Sequence, residues 1–192
     1  MISYSRIADG IAYYQQHGYT YKEVPWLVPQ PAINVTKPDE AKAFYVHNLG
    51  CLVASGEQSF IHLMQDGKLL SGRYVCCTPC FRDEPILDEL RRSCFLKVEL
   101  ISAFPLSISF EIDMMIKTAL NFFRQYVPCD IVKTDIGWDI ESKGIELGSY
   151  GFRQCGNIRW VYGTGVAEPR LSHVLNMSKE GHDVHQSKNC TG

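Results

Sequence analysis

The spacing of apolar residues changes along the chain between a helical and a strand period, and this change divides the sequence into elements. Helical spacing is seen in the N-terminal segment, where Ile7, Ile11 and Tyr14 precede Gly18. Helices are predicted at residues 3–17, 57–66 and 108–127, with a last one beginning near Glu168.

Segments rich in β-branched and aromatic residues, bounded by proline and glycine, predict the strands. The two longest are residues 73–84 and 93–104, which a short charged turn joins into an antiparallel hairpin. Because several strands follow one another without helices, the sequence predicts the α+β class, a mostly antiparallel β-sheet flanked by helices. Further strands are predicted within residues 19–28, 51–54, 129–136, 143–150 and 157–163, and residues 32–49 are predicted to be irregular.

Length and charge limit the function. A chain of 192 residues with 45% hydrophobic residues suits one domain with a sizeable core. We assign residues 1–177 to this core and residues 178–192 to a polar C-terminal tail. The 19 Lys and Arg against 21 Asp and Glu give a net charge of −2, without the basic excess typical of a free-standing nucleic-acid binder.

The N-terminus has no long apolar run, so neither a signal peptide nor a membrane anchor is expected, and the predicted localisation is cytoplasmic. In that reducing compartment the eight cysteines would be free thiols. Cys77 and Cys80 have C-x-x-C spacing inside a predicted strand, where buried thiols and a metal or redox role both stay open. His182 and His185 have H-x-x-H spacing in the polar tail.

A charged cluster surrounds the turn of the predicted hairpin. It consists of Arg82, Glu84, Arg91, Phe95 and Glu99, and neither period requires these residues. One interpretation is an exposed hairpin with Arg82 and Glu84 as a surface ion pair and Phe95 in the core. The other is a nucleotide site, because a guanidinium can form paired hydrogen bonds to a phosphate and an aromatic ring can stack on a base.

The same residues resemble motif 2 of class II aminoacyl-tRNA synthetases. CFRDE (80–84), followed by Arg91-x-x-x-Phe95-x-x-x-Glu99, is similar to the family's FRxE strand, loop and return strand. The resemblance implies an ATP site in which Arg82 binds the α-phosphate and Phe95 stacks on the adenine. It also implies that Glu84 accepts a hydrogen bond from the base and that Arg91 binds the outer phosphates.

Two segments earlier in the chain resemble further elements of that family. GYTYKEVPWLV (18–28) resembles motif 1, which builds the dimer interface in the family and so implies a homodimer built on residues 5–28. SGEQSF (55–60) resembles the loop whose glutamate holds the α-ammonium of the substrate. The amino-acid pocket is therefore predicted to be lined by Glu57, Lys97, Glu99 and the strand of residues 146–150.

Two later segments complete the resemblance, which spans residues 5–177 and is to the seryl type of core. GIELGSYG (144–151) resembles the strand with an acidic residue near the ATP-bound magnesium, here Glu146 beside Ser149. GTGVAEPRL (163–171) resembles motif 3, whose arginine meets the γ-phosphate. The matching residues are Arg170 and two glycines, Gly163 and Gly165, which are expected to let the backbone approach the nucleotide.

The chain departs from the family pattern in motif 3. Ala167 stands where the third glycine is usual, and Pro169 stands where an acidic residue usually precedes the arginine, with Glu168 one place earlier. Some free-standing relatives hold the substrate amine with zinc. No catalytic zinc is predicted here, because the loop of Glu57 offers no cysteine and Tyr150 stands where a second ligand is expected.

The resemblance implies an ATP- and Mg²⁺-dependent ligase with Arg82 and Arg170 as catalytic residues, and three interpretations follow. The first is an enzyme that activates an amino acid or similar small carboxylate as its adenylate and passes it to a carrier protein or another non-tRNA acceptor. The second is a minimal aminoacyl-tRNA synthetase with a separate tRNA-binding partner. The third is a catalytically silent paralogue that binds a ligand and regulates. Weak or no tRNA binding is expected, because the chain has no basic excess.

Overall fold

The computed structural model describes residues 2–177, so the predicted tail with His182 and His185 lies outside the described residues. The elements in chain order are α1 (Tyr4–Gln16), β1 (Thr20–Tyr21), β2 (Leu27–Val28), α2 (Gln30–Asn34), β3 (Tyr45–Val46), β4 (Gly50–Leu52), α3 (Gly56–Gln65), β5 (Gly72–Phe81), β6 (Cys94–Ala103), α4 (Ile108–Phe123), β7 (Asp130–Lys133), β8 (Trp138–Ser142), β9 (Ile145–Cys155) and β10 (Ile158–Glu168). A further helix, α5, covers residues 170–177. The predicted helices are therefore present. Strand β3 and the second half of α2 lie in the segment predicted to be irregular.

Two β-sheets organise the chain. The large sheet has seven strands in the order β1-β5-β6-β10-β9-β8-β7, and the small sheet has the order β2-β4-β3. In the large sheet all neighbours are antiparallel except β1, which pairs with β5 in parallel. The predicted α+β class, with a mostly antiparallel sheet and flanking helices, is confirmed.

The strands after α4 differ from the sequence prediction. The sequence predicts three strands and the structure has four, because β8 lies between the first two. The alternation of Trp138 and Ile140 with the polar Asp139 and Glu141 is a strand pattern that the prediction missed. Strand β10 also continues to Glu168, beyond the predicted end at residue 163. Its glycines are poor strand formers, but pairing with β6 along almost its whole length keeps the backbone extended.

Helices α1 and α4 cover one face of the large sheet. The residues buried between them include Ile7, Tyr14, Val98, Leu100, Met115, Phe122, Tyr150 and Val161. On the opposite face, α3 and the small sheet cover one end of the strands, and the residues buried there include Val53, Phe60, Ile61, Cys76, Ile101 and Trp160. Each such side chain contributes roughly 1.5–3 kcal/mol by leaving water. The other end of this second face is left for polar side chains.

The two motif 3 glycines face the helices, and their predicted approach to the nucleotide stays a prediction. A Cβ atom on Gly165 would lie 2.8 Å from Cε2 of Tyr14, and one on Gly163 would lie 2.6 Å from Sδ of Met115. Both positions therefore need glycine for close packing against α1 and α4.

A buried ion pair ties the first helix to the start of the last one. Arg6 Nε donates a 2.8 Å hydrogen bond to Glu168, which is completely buried at the end of β10. Ser172 of α5 bonds to the same glutamate and to the same arginine. This triad fixes the position from which Arg170 projects.

A second ion pair joins the edge of the sheet to α4. Arg73 Nε and Nη2 donate hydrogen bonds of 2.7 and 2.8 Å to the two oxygens of Glu111. These hydrogen bonds hold the pKa of Glu111 below its ordinary value, and partial burial opposes the shift. The pair is bidentate, which is the geometry in which arginine binds carboxylates most strongly.

Replacing Glu111 by glutamine should lower the free energy of unfolding at neutral pH by about 1–2 kcal/mol. Because the folded-state pKa lies below the ordinary value of 4.5, the wild-type contribution is complete above that value and is lost as the pH falls through the folded-state pKa. The stability difference between wild type and variant should therefore shrink below about pH 4.5. Urea unfolding across the acid range measures it, with exposed Glu40→Gln as the control. A difference that does not change with pH would contradict the assignment.

Candidate functional site

The uncovered end of the sheet forms an open cleft between the β5–β6 turn and the start of α5. Of the residues predicted from the sequence, those that line it are Arg82, Glu84, Arg91, Phe95, Lys97, Glu146 and Arg170. Leu90, Arg92, Thr164, Ala167, Glu168 and Pro169 complete the lining. Residues from four separate segments of the chain thus meet in one place.

Arg82 and Phe95 contact each other at the base of the cleft. The guanidinium of Arg82 lies over the Phe95 ring, 5.0 Å from its centroid, and Arg82 Nε donates to the Ala54 carbonyl at 3.2 Å. Within residues 2–177 Arg82 has no carboxylate partner closer than 4.0 Å, so the surface ion pair with Glu84 does not form. Phe95 is half-buried at the cleft and does not belong to the core.

The connecting loop between β5 and β6 closes one side of the cleft. Its Asp88 accepts hydrogen bonds from the backbone of Leu90 and from both the backbone and the guanidinium of Arg91. Glu89 lies 3.1 Å from Nδ1 of His173 on α5. Arg91 is therefore on an exposed loop whose position depends on contacts with α5.

Arg170 and Glu146 form an ion pair on the opposite side of the cleft. Arg170 Nη1 donates to Oε1 of Glu146 at 2.5 Å and to its carbonyl at 3.3 Å. Asp139, which the sequence did not indicate, lies opposite Ser149 in the β8–β9 register. Burial raises the pKa of Asp139, the hydrogen bond with Ser149 opposes this, and the nearby Glu146 adds to it. Recognising β8 as a strand would have placed Asp139 on this face.

Thr164 is a second lining residue that the motif comparison missed. It lies between the two motif 3 glycines, so strand alternation turns it to the face opposite theirs. Its hydroxyl accepts a long 3.5 Å hydrogen bond from the Ser149 amide. Alternation of glycine with a polar residue is a signal that the sequence does contain.

Lys97 and Glu99 form a buried ion pair on β6. The Lys97 ammonium lies 3.0 Å from each Glu99 oxygen and hydrogen-bonds to Oε1. Oε2 of Glu99 is buried and lacks a hydrogen-bonding partner among the described residues. Burial raises the pKa of Glu99, which the Lys97 charge opposes and the Glu57 charge increases.

Glu57 is the second residue of α3, and the hydroxyl of the N-cap residue Ser55 accepts a hydrogen bond from the Glu57 amide. Glu57, which is predicted to bind the substrate ammonium, already accepts hydrogen bonds from other side chains of the protein. Trp160 Nε1 donates to its Oε1 at 2.6 Å, and Arg153 Nη1 donates to Oε1 and Oε2 at 2.7 and 2.5 Å. The sequence predicts neither partner, because they lie about a hundred residues away along the chain, on β9 and β10.

The C-x-x-C pair consists of free thiols in β5. Burial raises the pKa of Cys77 to about 11 and that of Cys80 to about 12, so both thiols are protonated at neutral pH. Among residues 2–177 no group of three or more histidine, cysteine, aspartate or glutamate side chains is arranged to hold a metal ion. The burial of Cys80 and the partial burial of Cys77 agree with the buried-thiol interpretation. The described helices include none with the length and apolar character needed to cross a membrane.

Replacing Glu57 by alanine should destabilise the protein by about 3 kcal/mol, because it leaves a guanidinium and an indole N–H without their acceptor. A double-mutant cycle with Arg153→Ala, followed by urea unfolding, measures the pair directly. The double variant should lose less stability than the two single variants together. Strict additivity would show that the two side chains do not interact in solution.

Comparison with known proteins agrees with this architecture. No family model and no curated protein matches the sequence. In structure, the chain is similar to PylSc, a pyrrolysyl tRNA synthetase from Desulfitobacterium hafniense, with a TM-score of 0.69 and 17% identity over 92% of this chain and 69% of that one. It is similar to seryl-tRNA synthetase from Pyrococcus horikoshii complexed with ATP, with a TM-score of 0.72 and 17% identity over 88% of this chain and 48% of that one.

A third similar structure is the cytoplasmic serine-tRNA ligase from Naegleria fowleri in complex with AMP, with a TM-score of 0.65 and 15% identity over 86% of this chain and 51% of that one. The chain thus spans about half the length of the two seryl enzymes. At these identities the comparison establishes the fold. The protein has the fold of a class II aminoacyl-tRNA synthetase catalytic core.

Proposed function

We propose that the protein uses ATP and Mg²⁺ to activate an amino acid or a similar small carboxylate as its adenylate. The observation that carries this proposal is the cleft itself. On a class II synthetase fold, it gathers Arg82, Arg170, the accessible Phe95 ring and the Glu146 carboxylate from distant segments. Asp139 is close enough to Glu146 for the two charges to interact. The motif resemblance implies these residue types for adenylate formation, and the similar seryl-tRNA synthetase from Pyrococcus horikoshii is complexed with ATP.

The triphosphate would lie between Arg82 and Arg170, with the adenine on Phe95. In the structure the Arg82 guanidinium covers the Phe95 ring at 5.0 Å. Nucleotide binding would move this guanidinium from the ring to the α-phosphate, where it gains charge-assisted hydrogen bonds. Arg170 would likewise exchange part of its contact with Glu146 for the γ-phosphate.

Glu146 and Asp139 are the residues that would hold Mg²⁺. Carboxylate oxygens are the ligands that Mg²⁺ prefers, and it also binds substrate phosphates and water. The fit is supported by the pKa of Asp139, which burial and the Glu146 charge raise, because a divalent cation relieves such repulsion. The ion would neutralise charge on the phosphates.

The reaction would be attack of the substrate carboxylate on the α-phosphorus, with pyrophosphate leaving in line. A bond forms from the carboxylate oxygen to phosphorus, and the bond from phosphorus to the bridging oxygen breaks. Arg82 would stabilise the negative charge on the α-phosphate oxygens in the transition state. No protein nucleophile is required, since positioning and electrostatics supply most of the rate in phosphoryl-type transfers.

The loop at the cleft entrance favours an acceptor other than tRNA. Its residues 83–92 carry four acidic and two basic side chains. Ile86 and Leu87 expose large apolar side chains there. Such a surface does not attract a phosphate backbone, so we propose weak or no tRNA binding and a carrier protein or small molecule as the acceptor.

A catalytically silent, ligand-binding paralogue is the second candidate. The observation that favours it is the ion pair between Arg153 and Glu57, which occupies the residue expected to hold a substrate ammonium. The retained cleft charges favour the enzyme. The two candidates differ in whether bound ATP reacts.

We also propose that the protein is a homodimer built on residues 5–28. An apolar groove beside β1 is lined by Tyr21, Glu23, Val24, Pro25, Trp26, Leu27 and Cys77. Trp26 is 55% exposed, which is unusual for so large an apolar side chain on a monomer surface. The groove matches the segment that resembles motif 1.

Sedimentation should give twice the monomer mass of 21.8 kDa at micromolar concentration. Trp26→Glu should shift the equilibrium to monomer, because it places a charge in an apolar interface. Leu106→Ser, at a fully exposed position away from the groove, is the control and should leave the dimer intact. A wild type that sediments as a monomer would overturn this proposal.

Calorimetry with ATP and Mg²⁺ tests the nucleotide site. Arg82→Ala and Arg170→Ala should each weaken ATP binding by about tenfold or more, because each removes a charge-assisted contact to phosphate. Arg124→Ala is the matched control, because Arg124 lies at the C-terminal end of α4, pairs with the exposed Asp130 and does not line the cleft. No ATP binding by the wild type, or unchanged binding by both site variants, would remove the nucleotide assignment.

Exchange of labelled pyrophosphate into ATP tests the chemistry. The wild type should catalyse exchange with at least one small carboxylate and without tRNA. Arg82→Ala should lower the exchange rate by about 10²–10³-fold, as for the loss of other preorganised donors. Silence across a broad substrate panel with ATP binding intact would favour the silent paralogue. Efficient charging of tRNA would favour a minimal aminoacyl-tRNA synthetase.

A further inference from the structure

The substrate end of the site contains a guanidinium where the motif resemblance predicts a substrate cation. Arg153 lies on β9, and its guanidinium lies over the Tyr162 ring, 4.1 Å from the centroid. All of its hydrogen bonds within residues 2–177 come from Nη1, and they go to Glu57. The Arg153 side chain is 35% exposed, and its Nη2 and Nε groups form no hydrogen bond within residues 2–177.

Contacts on two sides hold this guanidinium in place. Glu57 is buried, and Trp160 Nε1 donates a hydrogen bond to its carboxylate. This hydrogen bond fixes the position of the carboxylate to which Arg153 is bound. Tyr162 provides an aromatic face, which favours a flat cation. Arg153 is therefore a fixed part of the subsite.

The groups that this subsite offers to a ligand are the hydrogen-bond donors of Arg153. The negative charge of Glu57 is already neutralised by Arg153, and three hydrogen bonds occupy its oxygens. A substrate ammonium at Glu57 would lie beside the guanidinium, where like charges repel. A carboxylate would instead accept hydrogen bonds from Nη2 and Nε, the paired geometry in which arginine binds carboxylates.

We propose that the substrate is a short dicarboxylic acid whose second carboxylate binds Arg153. This inference rests on the proposed function, and it defines the substrate class of the same site. One carboxylate would react at the α-phosphorus near Arg82, and the other would be bound at the far end of the subsite.

The spacing of the strand supports two separate carboxylate positions. Thr164 lines the cleft, and Tyr162, beneath the guanidinium, lies two residues earlier on the same face of β10. Two residues along a strand span about 7 Å. Succinate, glutarate, aspartate and glutamate have carboxylates that can bridge a distance of this order.

Glu99 provides a means to distinguish dicarboxylates with an amino group from those without one. Its buried Oε2 lacks a hydrogen-bonding partner among the described residues, whereas Lys97 hydrogen-bonds to Oε1. The Glu99 carboxyl group is close enough to Glu57 for the two charges to interact. An α-ammonium group could donate to Oε2 of Glu99. Aspartate or glutamate would use it, and succinate or glutarate would not.

Calorimetry with an ATP analogue that cannot be cleaved at the α-phosphate measures substrate binding without chemistry. The panel pairs each dicarboxylate with its monoamide, in which a neutral amide of the same shape replaces one carboxylate, such as glutamate with glutamine and glutarate with glutaramate. Wild type should bind the best dicarboxylate at least about tenfold more tightly than the corresponding monoamide. Preference for the amino or the plain dicarboxylates identifies whether Glu99 takes part.

Two variants test the residue itself. Arg153→Gln should abolish the preference for the dicarboxylate, and Arg153→Lys should retain part of it, because the charge stays while the paired donors are lost. Arg159→Gln is the matched control, since Arg159 is an exposed arginine on the neighbouring strand. The wild-type preference is measured independently of whether any variant folds.

The inference is overturned if the wild type prefers neutral amino acids, binds none of the dicarboxylates, or keeps its preference after Arg153→Gln. The proposed function fails in a different way. Tight dicarboxylate binding without pyrophosphate exchange would retain the inference and exclude adenylate formation. Exchange supported by neutral amino acids alone would retain adenylate formation and exclude the inference.

Discussion

The structure depends on one constraint. One face of the central strands is buried under helices, and the other must remain partly open to form the cleft. Neighbouring residues of β6 and β10 point to opposite faces. Val98, Leu100 and Val161 point to α1 and α4. Lys97, Glu99 and Thr164 point the other way, where α3 covers only one end of the strands. The burial of the helix side fixes the register, and the register decides which polar side chains reach the cleft.

Ion pairs within the protein determine what the site can accept. Lys97 neutralises Glu99, Arg153 neutralises Glu57, and Arg170 contacts Glu146. Arg82 has an aromatic ring and a carbonyl as partners instead of a carboxylate. Buried charges of this kind contribute little net stability when paired but cost several kcal/mol, roughly 3–5, when one partner is removed. Their value lies in fixing where donors and acceptors stand for a ligand.

Ion pairing also links the site to the rest of the fold. Arg170 projects from the start of α5, and the Arg6–Glu168–Ser172 contacts hold that start against α1. Motif 3 departs from the family pattern at Ala167 and Pro169, yet both residues line the cleft beside Arg170. Glu168 is buried on Arg6, so the carboxylate of this segment has a structural contact with the first helix.

The sequence by itself determined the four longer helices, the antiparallel hairpin and the residues of the cleft that lie within short motifs. The sequence predicts Arg82, Phe95 and Arg170 because each lies in a short motif, whose spacing along a strand or at the start of a helix can be seen in consecutive residues. Tertiary structure alone decided the partners: Arg153 and Trp160 on Glu57, and Asp139 beside Glu146. It also decided that Gly163 and Gly165 face the helices. These features depend on which strands become neighbours in the sheet. Strand order is set by the burial of whole sheet faces, and a short stretch of sequence does not contain that information.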